Sequence, residues 1–172
     1  MRVAGQVSLA KVISLYQMRA GAIALPREVL LADIKHSIPI AAKAETVYPL
    51  VASGQGFTKW WAEDVSEAGG TVELGFFKRT TVYRVRLKTN DAPKHAEWGC
   101  ESGDEWNGTR LSFHLESTNS GTVLRFAHAG WKAETDYFTA CNTTWGELMY
   151  RLKAAAEGKT PGPLFRTAEL AY

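Results

Sequence analysis

His128 is the side chain of this sequence best placed to do chemistry. It alternates with Leu124 and Phe126 along Thr122-Val123-Leu124-Arg125-Phe126-Ala127-His128, so one strand face carries two apolar side chains and one imidazole. An inward imidazole can orient a ligand, act as acid or base, or lock a strand end by bonding to its neighbours. Tyr83 comes second, because it shares a face with Thr81, Val85 and Leu87 and can present a phenol to an interior. His36 alternates with Ile34 and Ile38 and is expected to be satisfied or at a rim. His95 and His114 fall on polar faces and are expected in solvent. The four histidines are separated in sequence and no Cys or His pair has ligand spacing, so neither a metal nor a cofactor is expected. No Gly-x-Ser-x-Gly elbow is present, and neither Cys100 nor Cys141 has an evident base. Gly54-Gln55-Gly56 and Gly69-Gly70 read as turns, not phosphate loops. These patterns assign no catalytic residue.

The larger signal is aromatic. Trp60, Trp61, Phe76, Tyr83, Trp98, Phe113, Phe126, Phe138 and Trp145 fall mostly on apolar faces of their segments. Rings in such number either fill a core or line a space for a flat molecule. Together with His128 they are the candidate ligand-binding residues. The expectation is a binder of a small hydrophobic or aromatic molecule, more than an enzyme.

Composition bounds the other classes. A chain of 172 residues that is 45% hydrophobic can build one domain with a sizeable core. A net charge of +2, with scattered basic residues, argues against a nucleic-acid surface. No run of about 20 apolar residues exists, so no membrane span is expected. The two cysteines read as buried free thiols in the reducing cytoplasm, and spacing alone leaves a disulfide open. Arg84, Arg86, Arg110 and Arg125 face outward beside Glu73, Glu97, Glu101 and Glu116. Cross-strand ion pairs are expected there, with an acidic partner surface as the alternative.

These side chains need elements to hold them. A strand is expected over 33–41, with Pro39 at an edge or strand end. A short helix around 43–52 follows, interrupted by Pro49, and then a second over Phe57–Trp61. A meander occupies the middle: a short strand from Val65, then 71–77, 80–88, 94–101, 109–116 and 122–131. Asn107-Gly108 reads as a tight hairpin turn, and Asp104-Glu105-Trp106 as a loop able to gate a pocket mouth. A helix over 135–157 has Thr135 as its cap and an apolar stripe of Phe138, Cys141, Trp145, Leu148, Leu152 and Ala155. Gly158 fits its stop. The class is α+β, because the helices are segregated from a continuous antiparallel meander. The expected division is an N-terminal extension over 1–32, a ligand-binding domain over 33–158 and a tail over 159–172. In the extension, Leu9, Val12, Ile13 and Tyr16 have the spacing of a short helix. In the tail, Pro161-Gly162-Pro163 rules a helix out.

This order resembles the START-like, helix-grip fold of the SRPBCC superfamily. Ile38-Pro39-Ile40-Ala41-Ala42-Lys43-Ala44-Glu45-Thr46-Val47-Tyr48 is similar to that fold's passage from first strand to first helix. Phe57-Thr58-Lys59-Trp60-Trp61 resembles the second helix of the branch related to the activator of the heat-shock-protein-90 ATPase. Gly121-Thr122-Val123-Leu124-Arg125-Phe126-Ala127-His128-Ala129-Gly130-Trp131 resembles that branch's strand ending in His-x-Gly-aromatic. The resemblance covers about 33–157. It implies a curved sheet of six or seven strands gripping the terminal helix over a cavity, in a monomer or homodimer. Members bind lipids, polyketides or hormones, some are cyclases, and some stimulate a chaperone ATPase. Chaperone-stimulating members carry a separate N-terminal domain, and 1–32 is shorter than one. The implied roles are an apolar ligand between sheet and helix, oriented by His128 and Tyr83 beside a wall of Trp60 and Trp61, or a chaperone as partner, or a polyketide-cyclase-like reaction.

Overall fold

Two-residue alternation builds the sheet. Strand β6 (Arg110–Thr118) buries Leu111, Phe113 and Leu115, and β7 (Gly121–Trp131) buries Leu124, Phe126 and His128 on the same side. The computed structural model describes residues 32–165. Within them, β1 (Ala32–Ile40) leads into α1 (Ala44–Val51) and α2 (Gly54–Phe57). Strands β2 (Asp64–Ala68), β3 (Thr71–Phe76), β4 (Thr81–Asp91) and β5 (His95–Cys100) precede β6 and β7, and α3 (Asp136–Ala156) ends the order. The strands form one seven-stranded antiparallel sheet in the order β1-β7-β6-β5-β4-β3-β2, curved and unclosed. The chain therefore crosses from one edge to the other through α1 and α2, then returns as a meander. Pro39 sits on β1, which pairs only with β7, where a missing N–H does no harm. The fold is α+β of the helix-grip kind, as the sequence indicates. The 1–32 extension with its helical spacing from Leu9 to Tyr16, and the end of the tail, lie outside the described residues apart from Ala32 itself.

Helix α3 packs along the inner face of the sheet. Thr135 caps it by accepting from the Phe138 N–H at 3.1 Å, and Asp136 sits at the positive end of the dipole. Its buried residues are Cys141, Trp145, Leu148, Met149, Leu152 and Ala156. Phe138 and Ala155, expected in the stripe, are only half-buried. A helix of 3.6 residues per turn drifts away from a strict 3-4 repeat, which carries Met149 and Ala156 inward.

Two expected turns are built differently. The second helix is Gly54–Phe57, not Phe57–Trp61, because Ser53 caps it one turn earlier by accepting from the Gly56 N–H at 3.1 Å. Gly54-Gln55-Gly56 is thus helix and not the turn expected of it. Gly56 lies flat against α1, where a Cβ would run into the Pro49 carbonyl and the Leu50 backbone. Gly56→Ala is therefore expected to cost about 2 kcal/mol in urea denaturation; an unchanged midpoint would contradict that packing. The second difference is the β5–β6 connection. Asn107-Gly108 is not a two-residue hairpin turn: only Gly108 has positive φ, at 89°, and the loop is closed by Cys100 bonding to Thr109 at 2.9 Å.

The outer face carries the expected ion pairs. Arg84 meets Glu73 at 3.4 Å, Arg86 meets Glu101 at 2.8 Å, Arg110 meets Glu97 at 3.9 Å and Arg125 meets Glu116 at 3.3 Å. Such exposed pairs add little stability. His95 and His114 are not independently solvated: they are cross-strand partners whose rings stack at 3.8 Å, and His95 Nε2 bonds the Ser112 hydroxyl at 3.0 Å. Among the described residues no group of three or more His, Cys, Asp or Glu is placed to hold a metal, and no helix is long and apolar enough to cross a membrane.

Candidate functional site

A cleft of about 290 Å³ opens where β3 and β4 face the N-terminal half of α3. Phe76 and Tyr83 come from the sheet, while Tyr137, Ala140, Cys141, Thr144, Trp145 and Leu148 come from the helix. Trp61, just after α2, and Trp106, from the loop over 101–109, close its inner end. Phe77 and Phe165 stand at its rim with Thr81.

Trp106 is the residue that sequence reasoning placed in a loop and left out of the site. It is buried, with its ring stacked on Tyr83 at 4.3 Å and 24° and near-parallel to Trp145 at 6.0 Å. The loop can fold inward because Gly103, at φ 87°, passes against the Tyr83 ring where a side chain would collide. The Trp106 N–H has no hydrogen-bond acceptor. Its neighbour is the thiol of Cys141, a weak acceptor. Tyr137, also missed, meets Tyr83 hydroxyl to hydroxyl across the cleft. A tryptophan beside acids in a turn-rich segment was the available signal for the first; nothing in the helical spacing pointed to the second.

His128 lies behind the cleft and does not line it. Its ring is fully buried between Leu111 and Ile34 on the flanking strands. Trp145 Nε1–H donates to His128 Nδ1 at 3.0 Å, and His128 Nε2 meets Thr109 Oγ1 at 2.8 Å. Thr109 spends its one hydroxyl proton on the Trp106 carbonyl at 2.6 Å, so it must accept from His128. Both contacts demand the neutral Nε2–H tautomer. Burial holds the imidazolium down to a pKa of about 3. The relay Trp145, His128, Thr109, Trp106 thus ties together two walls of the cleft.

The other candidates divide by position. Trp61, Phe76, Tyr83 and Trp145 line the cleft. Trp60 and Trp98 are buried elsewhere, with their N–H groups bonded to the Leu50 and Val51 carbonyls at 2.9 and 2.8 Å. Phe113 and Phe126 pack on each other at 5.1 Å, and Phe126 supports Trp145 at 4.3 Å. Phe138 packs edge-on against Trp131 at 5.3 Å. His36 is half-buried near Phe126, and its Nε2 has no partner. Both cysteines are free and buried; burial pushes the Cys100 thiol up to about 12.

The cleft is uncharged at neutral pH. Burial raises the pKa of Tyr83, Tyr137 and Cys141 above their ordinary values, so all three keep their protons. The site offers aromatic faces, two phenols and the hydroxyls of Thr81 and Thr144. It can stack a flat ring and donate one or two hydrogen bonds, and it lacks a group poised to exchange a proton near pH 7.

A curved antiparallel sheet gripping one C-terminal helix defines a protein of the START-like, SRPBCC class. The family model for activator of Hsp90 ATPase homolog 1-like proteins matches residues 41–157, and the chain belongs to that family. Among solved structures, the Aha1 dimer from Colwellia psychrerythraea, determined in solution, is 31% identical with a TM-score of 0.66, covering 74% of this chain and 97% of that one. A crystal structure from Staphylococcus saprophyticus is 16% identical with a TM-score of 0.63, covering 78% and 98%. DynU16, from the dynemicin biosynthetic locus, is 12% identical with a TM-score of 0.62, covering 78% of this chain and 51% of that one. The last two likenesses are of fold alone. No curated protein matches the chain.

Proposed function

We propose that this protein binds a small, uncharged, flat apolar molecule in the cleft between β3, β4 and α3. The observation that carries the reading is the enclosure of that space by three indoles, Trp61, Trp106 and Trp145, opposite Phe76 and the Tyr83–Tyr137 hydroxyl pair. A volume of about 290 Å³ lies just below the usual span of small-molecule sites, roughly 300–1,000 Å³, which suits two or three fused rings. Removing such a ligand's apolar surface from water drives binding at about 25 cal/mol per Å², less the ordering cost. The neutral, protonated lining favours binding over turnover, and so favours a binder over a cyclase-like enzyme.

Fluorescence titration with N-phenylnaphthylamine tests the reading. The expected result is saturable emission enhancement with one site per chain, reversed by unlabelled fused-ring hydrocarbons. A signal that never saturates, or none, would count against the cleft.

A second reading rests on the family match and on the Aha1 relative: a docking role on a chaperone, as a cytoplasmic homodimer. Stimulation of a chaperone's ATPase by the purified chain, undiminished when the cleft is filled, would favour it.

A further inference from the structure

We propose that the segment after α3 gates this cleft, with Phe165 as the gate and Arg151 as its latch. The inference rests on the ligand-binding reading above. The chain reverses at the end of α3, where Gly158 has φ 81° and the Lys159 N–H bonds back to the Ala154 carbonyl at 2.9 Å. The guanidinium of Arg151, one turn inside the helix, then collects three consecutive carbonyls: Pro161 at 2.7 Å, Gly162 at 3.0 Å and Pro163 at 2.9 Å. Nη2 makes all three contacts and Nε adds a second bond to the Gly162 carbonyl at 3.2 Å, so two nitrogens of the planar guanidinium grip the same short stretch. Residues 159–163 form neither helix nor strand and the two prolines offer no N–H, so the strap is held by the latch instead.

The strap delivers Phe165 to the cleft mouth. Its ring packs edge-on against Phe76 at 6.0 Å and tilted, at 52°, against Phe77 at 5.8 Å, both on the cleft wall. Phe77 has its own anomaly. It, Lys78 and Arg79 take φ values of 52°, 57° and 65°, a left-handed run without glycine. Arg79 pins the turn through Asp64 at 2.8 Å and Glu73 at 2.7 Å. The result is a phenylalanine on a strained turn that still leaves 41% of its surface exposed. Strain of this kind persists only where the surroundings over-determine it, and such positions cluster at ligand clamps and switch regions. Phe77 and Phe165 meet as two jambs over an apolar space, and a ligand must part them.

Stopped-flow association of N-phenylnaphthylamine with the full chain and with Phe165→Ala and Arg151→Gln tests this. Phe165→Ala removes the gate; Arg151→Gln keeps the ring and releases the latch. Both variants are expected to associate about tenfold faster than the parent. In the ligand-free protein, both are also expected to show stronger acrylamide quenching of tryptophan emission. If the probe binds and both variants keep the parent rate and quenching, the gate is wrong and the cleft stands. Slower association of Phe165→Ala, with Arg151→Gln unchanged, would make Phe165 an ordinary part of the binding wall and also overturn the gate. If none of the three proteins binds the probe, the cleft reading falls and the gate falls with it.

Discussion

His128→Ala is expected to destabilise the fold by about 4 kcal/mol and to lower the melting temperature by about 10 °C. The substitution strands the Trp145 N–H in a dry interior, takes the donor from Thr109 and leaves a cavity beside Leu111. His128→Gln, which can accept with its oxygen and donate with its nitrogen, is expected to recover much of the loss. The pH dependence has a definite sign. The folded-state pKa of about 3 lies below the ordinary histidine value of 6.5, so between them the unfolded chain binds one more proton. The contribution is fully present above pH 6.5 and is lost at up to about 1.4 kcal/mol per pH unit as pH falls toward 3. Chemical denaturation across that range should show the slope in the parent, and His128→Gln should lack that share of it. Equal slopes in the two proteins would mean that the imidazole is not held neutral by burial.

Ala140→Trp is expected to weaken probe binding at least a hundredfold with the melting temperature nearly unchanged. Ala140 lines the cleft from the exposed side of α3, so an indole there fills the space without displacing core atoms. Tryptophan costs only about 0.5 kcal/mol in helix propensity relative to alanine. Thr143→Trp serves as the control, because Thr143 is exposed on the same helix and does not line the cleft. Binding by Ala140→Trp at parental affinity would move the ligand to another surface.

Much of the fold is legible in the chain because its patterns are periodic. Leu111, Phe113 and Leu115 set the inner face of β6, and Arg110 and Arg125 find their acids on the outer one. Thr135 announces the start of α3. The site is less legible, for a geometric reason. Alternation tells which face a ring occupies, but not whether the opposing layer reaches it at that end of the sheet. Phe113, Phe126, Trp60 and Trp98 face inward and meet partners; Trp61, Phe76, Tyr83 and Trp145 face inward and border the cleft. Trp106 and Phe165 come from segments with no period at all, placed by the turn at Gly103 and by the Arg151 latch. His128 is legible as inward, yet its role depends on Trp145 and Thr109, which only folding brings to it.

The most direct measurement follows the six indole N–H resonances by nitrogen–proton correlation spectroscopy while N-phenylnaphthylamine is added. If the ligand sits between β4 and α3, the Trp61, Trp106 and Trp145 signals move together and saturate. The Trp60 and Trp98 signals, tied to the Leu50 and Val51 carbonyls, stay in place. Shifts confined to Trp60, Trp98 and Trp131, or no shift at any indole under saturating probe, would contradict a ligand in the cleft.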